Sequence, residues 1–266
     1  MRNSLIAASA LSLVVLATPA FAQDAEPAAP FTITGTAALT TDYRFRGISQ
    51  TNEKLAVQAG ATIAHESGFY ASFWGSSIDD YVYLDADAEV DLILGYSKTV
   101  DGFTLDGGVL YYLYASAAPG IRSDFFEPYA SVKYTYGPVT GKLGAAYAPK
   151  QNALSLDGYA SREDNLYVYG ELSTTIPGTP IGISGHLGYS HGRSALTLGQ
   201  KDYFDWNITG SYTYKNVTFG VSYVDTDFKK SSPYLFFPGL DTAPGYAKNG
   251  YDLVDPTILG SVTFAF

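Results

Sequence analysis

Residues 31–46, FTITGTAALTTDYRFR, decide the fold of this chain, because their side chains alternate between an apolar face and a polar face. The apolar set is Phe31, Ile33, Ala37, Leu39, Tyr43 and Phe45. The polar set is Thr32, Thr34, Thr36, Thr40, Asp42, Arg44 and Arg46. A period of two residues is typical of a β-strand whose two faces meet different surroundings.

The same alternation recurs along the rest of the chain. After the strand at 31–46, it predicts strands at 55–65, 69–77, 87–97, 103–114, 126–135, 139–147, 166–176, 181–190, 205–214, 217–224 and 257–266. We therefore predict an all-β fold, a transmembrane antiparallel β-barrel of about twelve strands, because even strand counts are the rule for such barrels.

The predicted connections alternate between short and long. The short ones, at 66–68, 100–102, 137–138, 177–180 and 215–216, contain turn residues such as Asp-Gly and Gly-Pro. The long ones are at 47–54, 78–85, 115–125, 148–165, 191–204 and 225–256. Short periplasmic turns and longer extracellular loops are the layout of outer-membrane barrels.

The first 22 residues are typical of a secretory signal peptide. Arg2 supplies the positive start, Leu5 to Leu16 the apolar core, and Ala20-Phe21-Ala22 the cleavage site. The apolar run is shorter than the roughly 20 residues of a membrane-spanning helix. We predict cleavage after Ala22, a flexible lead at 23–30 and a barrel at 31–266; a retained N-terminal anchor is the alternative.

Composition supports export to the outer membrane of a Gram-negative bacterium. Only 16% of the residues are charged, 15% are aromatic, and there are 23 Tyr and 27 Gly. Soluble domains carry roughly 25% charged residues, so this composition suits strands whose outer face contacts outer-membrane lipid. The chain has no Cys, which excludes a disulfide scaffold. Its formal charge of −10 argues against a nucleic-acid partner.

Charged residues indicate which face of each strand points into the barrel. A Lys or Arg on the lipid face at mid-membrane costs about 2–4 kcal/mol, so the parity that carries the charges should face the lumen. The predicted pore-lining residues are Asp42, Arg44, Arg46, Asp87, Glu89, Asp91, Asp106, Glu127, Lys133, Lys142, Glu171, His186 and Asp205.

Aromatic residues dominate the opposite parity near the strand ends and predict two girdles at the membrane interfaces. This set is Tyr43, Phe45, Tyr96, Tyr111, Tyr134, Tyr147, Tyr189, Trp206, Tyr212 and Tyr223. A soluble β-sandwich with these aromatics in its core is the alternative. It does not explain the alternation of short and long connections.

The last predicted strand carries a candidate assembly signal. Ile258, Val262, Phe264 and Phe266 share one face, and the strand ends in Phe. This pattern resembles the signal recognised by the outer-membrane assembly machinery, so we predict that machinery as a partner and assign the signal to Phe264 and Phe266. An ordinary edge strand that ends in Phe is the alternative.

Catalytic and metal-binding patterns are weak. No GxSxG elbow is present, and His186 falls on the lumen parity, which argues against a lipid-hydrolysing enzyme. The carboxylates of Asp85, Asp87, Glu89 and Asp91 alternate along one strand and do not match a calcium loop. We predict no enzyme activity and no cofactor.

Residues 41–50, TDYRFRGISQ, resemble the N-terminal motif of the TorF-type porin family of Gram-negative outer-membrane proteins. The resemblance continues through Gly68-Phe69-Tyr70, Trp74 and the acidic strand with Glu89, Asp91, Gly95 and Tyr96. It covers 41–96 and implies an outer-membrane barrel that can form a pore. It implies no particular substrate.

Two functions follow as expectations. The first is a porin-like channel for passive passage of small solutes or ions, with a preference for cations because acids outnumber bases at the predicted lumen positions. The second is a plugged structural or adhesive barrel that acts through its extracellular loops. The position of the loop at 225–256 bears on the choice between them.

Overall fold

The structure is a computed structural model that describes residues 30–83, 86–157, 159–229 and 252–266. The predicted signal peptide, nearly all of the predicted lead, Asp85 of the alternating carboxylates and most of the loop at 225–256 lie outside the described residues. The strands are β1 (Phe31–Thr40), β2 (Arg44–Phe45), β3 (Ile48–Ser49), β4 (Ala56–His65), β5 (Phe69–Ser77), β6 (Ala88–Val100), β7 (Phe103–Ala115), β8 (Phe125–Tyr136), β9 (Val139–Gln151), β10 (Glu163–Thr175), β11 (Ile181–His191), β12 (Asp202–Tyr214), β13 (Val217–Thr226) and β14 (Thr257–Ala265).

All of these strands except β2 and β3 form one closed antiparallel barrel. Neighbours in the chain are neighbours in the sheet, and β1 closes the barrel by pairing with both β4 and β14. The predicted twelve-stranded antiparallel barrel is confirmed. Its closure leaves no strand of the wall with a long unpaired edge.

The two ends of the barrel differ. Short turns such as 101–102 and 137–138 lie at one end, called here the turn end, together with Phe31 and Phe266. The strand ends from which the longer connections leave, after β1, β5, β7, β9, β11 and β13, lie at the other end, called here the loop end. Asp101-Gly102 and Lys215 have positive φ, which the right-handed twist of tight hairpins requires.

The outer face of the wall is apolar. Leu94 is 70% exposed and Ile258 is 72% exposed, which is the pattern expected of strands surrounded by lipid. Aromatic pairs join neighbouring strands on this face, for example Phe69–Tyr96 and Phe103–Tyr134 with ring centroids 4.9 and 4.5 Å apart. Tyr96, Tyr111, Tyr134, Tyr147, Tyr212 and Tyr223 are exposed on it, as predicted.

The interior has two unlike halves. From β5 to β10 it is filled by large side chains, among them the buried Tyr70, Tyr112 and Phe125. Several tyrosine rings lie against glycines of a neighbouring strand, so that a Cβ at Gly95 or Gly144 would overlap the ring of Tyr70 or Tyr169. From β12 through β14 to β1 most of the inward side chains along the cavity are small, and many of them carry hydroxyl groups; Tyr203 of β12 is a large exception.

The predicted strand at 31–46 is wrong beyond Thr40. β1 ends at Thr40, and Thr41 pairs with Gly260 through its backbone N–H, which donates to the Gly260 oxygen at 2.9 Å. Beyond Thr41 the chain leaves the wall and forms the small β2–β3 hairpin. Tyr43 is therefore 2% exposed and Phe45 packs in the interior, so neither belongs to the predicted outer girdle.

Candidate functional site

The β2–β3 hairpin is the centre of the candidate site. Arg44 pairs with Ser49 and Phe45 with Ile48, which leaves Arg46 and Gly47 as a two-residue turn. Their φ angles are 48° and 81°, as a type I′ turn requires. A Cβ at Gly47 would overlap Cγ2 of Thr226, so glycine is required here by both its backbone angle and its surroundings.

Arg46, at the tip of this hairpin, contacts three strands of the wall. Its Nη2 donates to both carboxylate oxygens of Glu127 on β8, at 2.7 and 2.8 Å, and its Nη1 donates to Oδ1 of Asn165 at 2.9 Å. The guanidinium carbon lies 4.2 Å from the ring centroid of Tyr167. The hydroxyl of Tyr203 on β12 donates to the Arg46 carbonyl at 3.0 Å. The tip therefore extends into the lumen of the barrel.

The base of the hairpin is anchored by Asp42. Its carboxylate accepts hydrogen bonds from the hydroxyls of Ser49 and Thr51 at 2.7 and 2.8 Å and from Nε of Arg44 at 2.6 Å. The neighbouring Tyr43 donates its hydroxyl to Oε1 of Glu89 at 2.6 Å. Charge-assisted bonds of this kind are about twice as strong as neutral ones, so the hairpin is held rigidly at its base.

Arg44 connects the hairpin to the end of the long loop. Its Nη1 donates to the carbonyls of Leu253 and Asp255, at 2.9 and 3.0 Å, next to a short 3-10 helix (Asp252–Val254). Its Nη2 lies 3.2 Å from Glu53. Burial raises the pKa of the Glu53 carboxyl, and the nearby carboxylates of Asp42 and other acids raise it further against the effect of Arg44.

A cavity of about 220 Å³ lies beside the hairpin. It extends from Asp42 and Gly47 to Lys215 and Asn216 in the β12–β13 turn. One side is lined by hydroxyl side chains of β12, β13, β14 and β1, called here the hydroxyl lane. Its members are Thr36, Thr40, Thr209, Ser211, Thr218, Ser222, Ser261 and Thr263. The lumen is thus narrowed on one side and lined by small polar groups on the other.

Opposite charges lie close together along the cavity. Four pairs line it: Asp42–Arg44 at 2.6 Å, Arg46–Glu127 at 2.7 Å, His186–Asp205 at 3.2 Å and Lys142–Glu171 at 3.7 Å. The histidine pair carries opposite charges when His186 is protonated. Lys215 is the other charged side chain that lines the cavity among the described residues.

The structure divides the predicted pore-lining residues into four groups. Those that line the cavity are Asp42, Arg44, Arg46, Glu127, Lys142, Glu171, His186 and Asp205. Glu89 and Asp91 are buried in the interior outside the cavity lining, and Asp106 and Lys133 are half-buried on lumen-facing positions of β7 and β8. Asp87 is exposed at the loop end, just before β6 begins.

Sequence reasoning missed the tyrosines of the interior. Tyr112, Tyr167 and Tyr203 are buried and contact the hairpin or its partners. Their parity on the strands matches that of the charges, which was available from the sequence. The rings fit because of glycines such as Gly188, beside Tyr167, and those pairings depend on the register between strands.

Within the described residues, no helix is both long and apolar enough to span a membrane. No group of three or more His, Asp or Glu side chains in this part of the chain is arranged to hold a metal ion.

A closed antiparallel barrel with an apolar exterior and a polar interior, narrowed by an inward hairpin, defines this protein as a transmembrane β-barrel. The chain belongs to the family described as bacterial protein of unknown function (Gcw_chp), which matches residues 24–266. No match was found among the curated proteins.

Solved porin structures share the fold. The NanC porin superimposes with a TM-score of 0.56 at 13% identity, over 88% of this chain and 99% of that one. The KdgM porin gives a TM-score of 0.51 at 11% identity, over 88% and 98%. At these identities the similarity concerns the fold.

Proposed function

We propose that this protein is a porin-like channel of the Gram-negative outer membrane, which lets small solutes or ions pass passively and has no enzyme activity. The observation that carries the proposal is the cavity that continues past the hairpin along the hydroxyl lane, down to Lys215 and Asn216 at the turn end. The apolar outer face and the resemblance of residues 41–50 to TorF-type porins support the same location and role.

The ion preference of such a channel depends on which acids reach the cavity. Glu89 and Asp91 are outside its lining, and the charges that line it are largely paired. Four carboxylates and four Lys or Arg side chains line the cavity beside His186, so the lining itself favours neither sign of charge. We propose a cation preference from the excess of acids over bases in the whole chain. It is small and strongest at low salt, where screening is weakest.

A plugged structural or adhesive barrel is the second candidate. It is favoured by the firm attachment of the hairpin, through Arg46 to Glu127 and through Arg44 to Leu253. A constriction with buried ion pairs on both arginines can close a narrow lumen completely.

Planar-bilayer recordings separate the two candidates. The refolded wild type is compared with a variant in which residues 44–49 are replaced by a Gly-Ser linker. We expect small, stable steps from the wild type and larger steps from the variant. Steps from the variant alone support the plugged barrel, and the absence of steps from both proteins contradicts a channel of any kind.

We also propose that Phe264 and Phe266 serve as the signal for the outer-membrane assembly machinery. Both side chains are exposed on the outer face, and their ring centroids are 6.1 Å apart. The backbone of Phe266 exchanges two hydrogen bonds with Gly35. The same residue would therefore take part in recognition and in closing the barrel.

A further inference from the structure

The hydroxyl lane differs from the rest of the lumen in its chemistry. On β12, β13, β14 and β1 most of the inward positions along the cavity carry threonine or serine, with Tyr203, Asp205 and Leu259 among the exceptions, whereas β5 to β10 carry most of the buried tyrosines. A hydroxyl can donate one hydrogen bond and accept two. Thr209 and Ser222 share one bond of 2.7 Å across β12 and β13, which leaves each with capacity for another molecule.

We propose that the hydroxyl lane selects neutral, hydroxyl-rich solutes, such as small sugars and polyols, over charged solutes of the same size. This inference rests on the proposed channel function and names the class of solute that the channel favours. Such solutes exchange hydrogen bonds with water for hydrogen bonds with wall hydroxyls, at little net cost.

The charged groups of the cavity do not favour the passage of charged solutes. Arg46 is bound to Glu127 and Asn165, and Lys142 lies 3.7 Å from Glu171 and 5.0 Å from the ring centroid of Tyr169. A charged solute must give up hydration to enter a narrow lumen, and these paired groups offer little compensation. A neutral solute gives up less hydration free energy when it enters the lumen.

The size of the cavity and the wall opposite the hydroxyl lane also suit neutral, hydroxyl-rich solutes. A cavity of about 220 Å³ is smaller than the roughly 300–1,000 Å³ of pockets that hold drug-sized ligands. The space is therefore on the scale of small sugars and polyols rather than of drug-sized ligands. Tyr129 and Tyr169 line the side facing the lane, and aromatic rings offer apolar surface to the C–H faces of such a molecule.

The test compares two pairs of hydroxyls. Thr209→Val with Ser222→Ala removes a pair from the lane. Thr62→Val with Ser72→Ala removes a hydroxyl pair at a similar distance, 2.8 Å apart on β4 and β5, which does not line the cavity. The full-length protein is reconstituted in liposomes. Uptake of sorbitol and of gluconate is measured beside K⁺ conductance.

We expect the wild type to pass sorbitol faster than gluconate. The Thr209/Ser222 variant should lose about fivefold in sorbitol uptake relative to conductance, from hydrogen bonds worth about 1 kcal/mol. The Thr62/Ser72 variant should match the wild type. Equal passage of both solutes, or an equal loss in both variants, overturns the inference while conductance persists. Absence of conductance and uptake in the wild type contradicts the channel itself.

Discussion

Arg46 and Glu127 meet inside the barrel although 81 residues separate them in the chain, and the guanidinium reaches both carboxylate oxygens within 2.8 Å. The two side chains are 6% and 3% exposed. A pair so deeply buried is strongly coupled, because either partner alone would be a buried charge without compensation. The position of the hairpin in the lumen depends on this pair.

Replacing Arg46 by Ala should release the hairpin. Removing one member of a buried ion pair costs about 3–5 kcal/mol, and the loss acts on the hairpin rather than on the wall. We expect larger or noisier single-channel steps in bilayers. Arg46→Lys keeps the charge and should show a smaller change, and Arg193→Ala, exposed in a loop, should show none. Wild-type conductance in Arg46→Ala would disprove the role of the pair.

Gly47→Ala should displace the same hairpin for a steric reason. Its φ of 81° costs a non-glycine residue about 1–2 kcal/mol, and its Cβ would also overlap Thr226. Gly120→Ala is the matched control, since its φ is 92° and nothing lies within 4 Å of its Cβ position. Increased channel noise in Gly47→Ala alone is expected. Equal behaviour of the two variants would show that the overlap has no effect.

Gly144→Ala should destabilise the barrel wall. The added methyl group would overlap the ring of Tyr169, and overpacking costs about 1–3 kcal/mol. Gly210 also lies in a strand, but nothing lies within 4 Å of its Cβ position. Urea unfolding in detergent should therefore show a lower midpoint for Gly144→Ala and not for Gly210→Ala. If both variants unfold at the wild-type midpoint, the packing of the Tyr169 ring does not require glycine at position 144.

Lys142→Gln should make the channel more selective for cations. The change leaves the Glu171 carboxylate without its lysine partner beside the cavity. Reversal potentials in a KCl gradient should shift toward the potassium potential, most clearly at low salt. Lys201→Gln, exposed at the loop end, is the control. A clear anion preference of the wild type would contradict the proposed cation preference.

Phe266→Asp should reduce insertion into the outer membrane. The change removes the proposed signal and the ring that packs against Gly35. Phe31→Asp changes an exposed aromatic residue at the same end of the barrel and separates a specific signal from a general effect of charge. Cell fractionation should show the loss for Phe266→Asp. Equal levels of the two variants would argue against a signal at Phe266.

The barrel wall could be predicted from the sequence because alternation of polar and apolar side chains encodes each strand locally. Residues 69–77 and 103–114 illustrate this, since the observed β5 and β7 match them within one residue. A closed barrel in which each strand pairs with the next must pair its first strand with its last, so the β1–β14 pairing follows as well. The local pattern of each strand is therefore enough to predict the wall.

The inward hairpin could not be predicted in the same way. Tyr43 and Phe45 continue the alternation of β1 past Thr40. The sequence pattern therefore does not show where the chain leaves the wall. What bends the chain inward is the binding of Arg46 to Glu127 and of Asp42 to Ser49 and Thr51. Glu127 lies 81 residues from Arg46 and comes near it only in the folded barrel, whereas Ser49 and Thr51 lie close to Asp42 in the chain and reach it once the hairpin turns back. The Arg46-Gly47 pair was the one local sign of a turn.

The unequal halves of the lumen have a consequence for how this protein can diversify. The tyrosines and glycines that hold the barrel together lie mainly on β5 to β11, whereas the hydroxyl lane lies on β12, β13, β14 and β1. Exchanges among small side chains in the lane would leave the packed half untouched. On the proposed channel function, a few substitutions on these four strands would change which solutes pass, with the same architecture and little loss of stability.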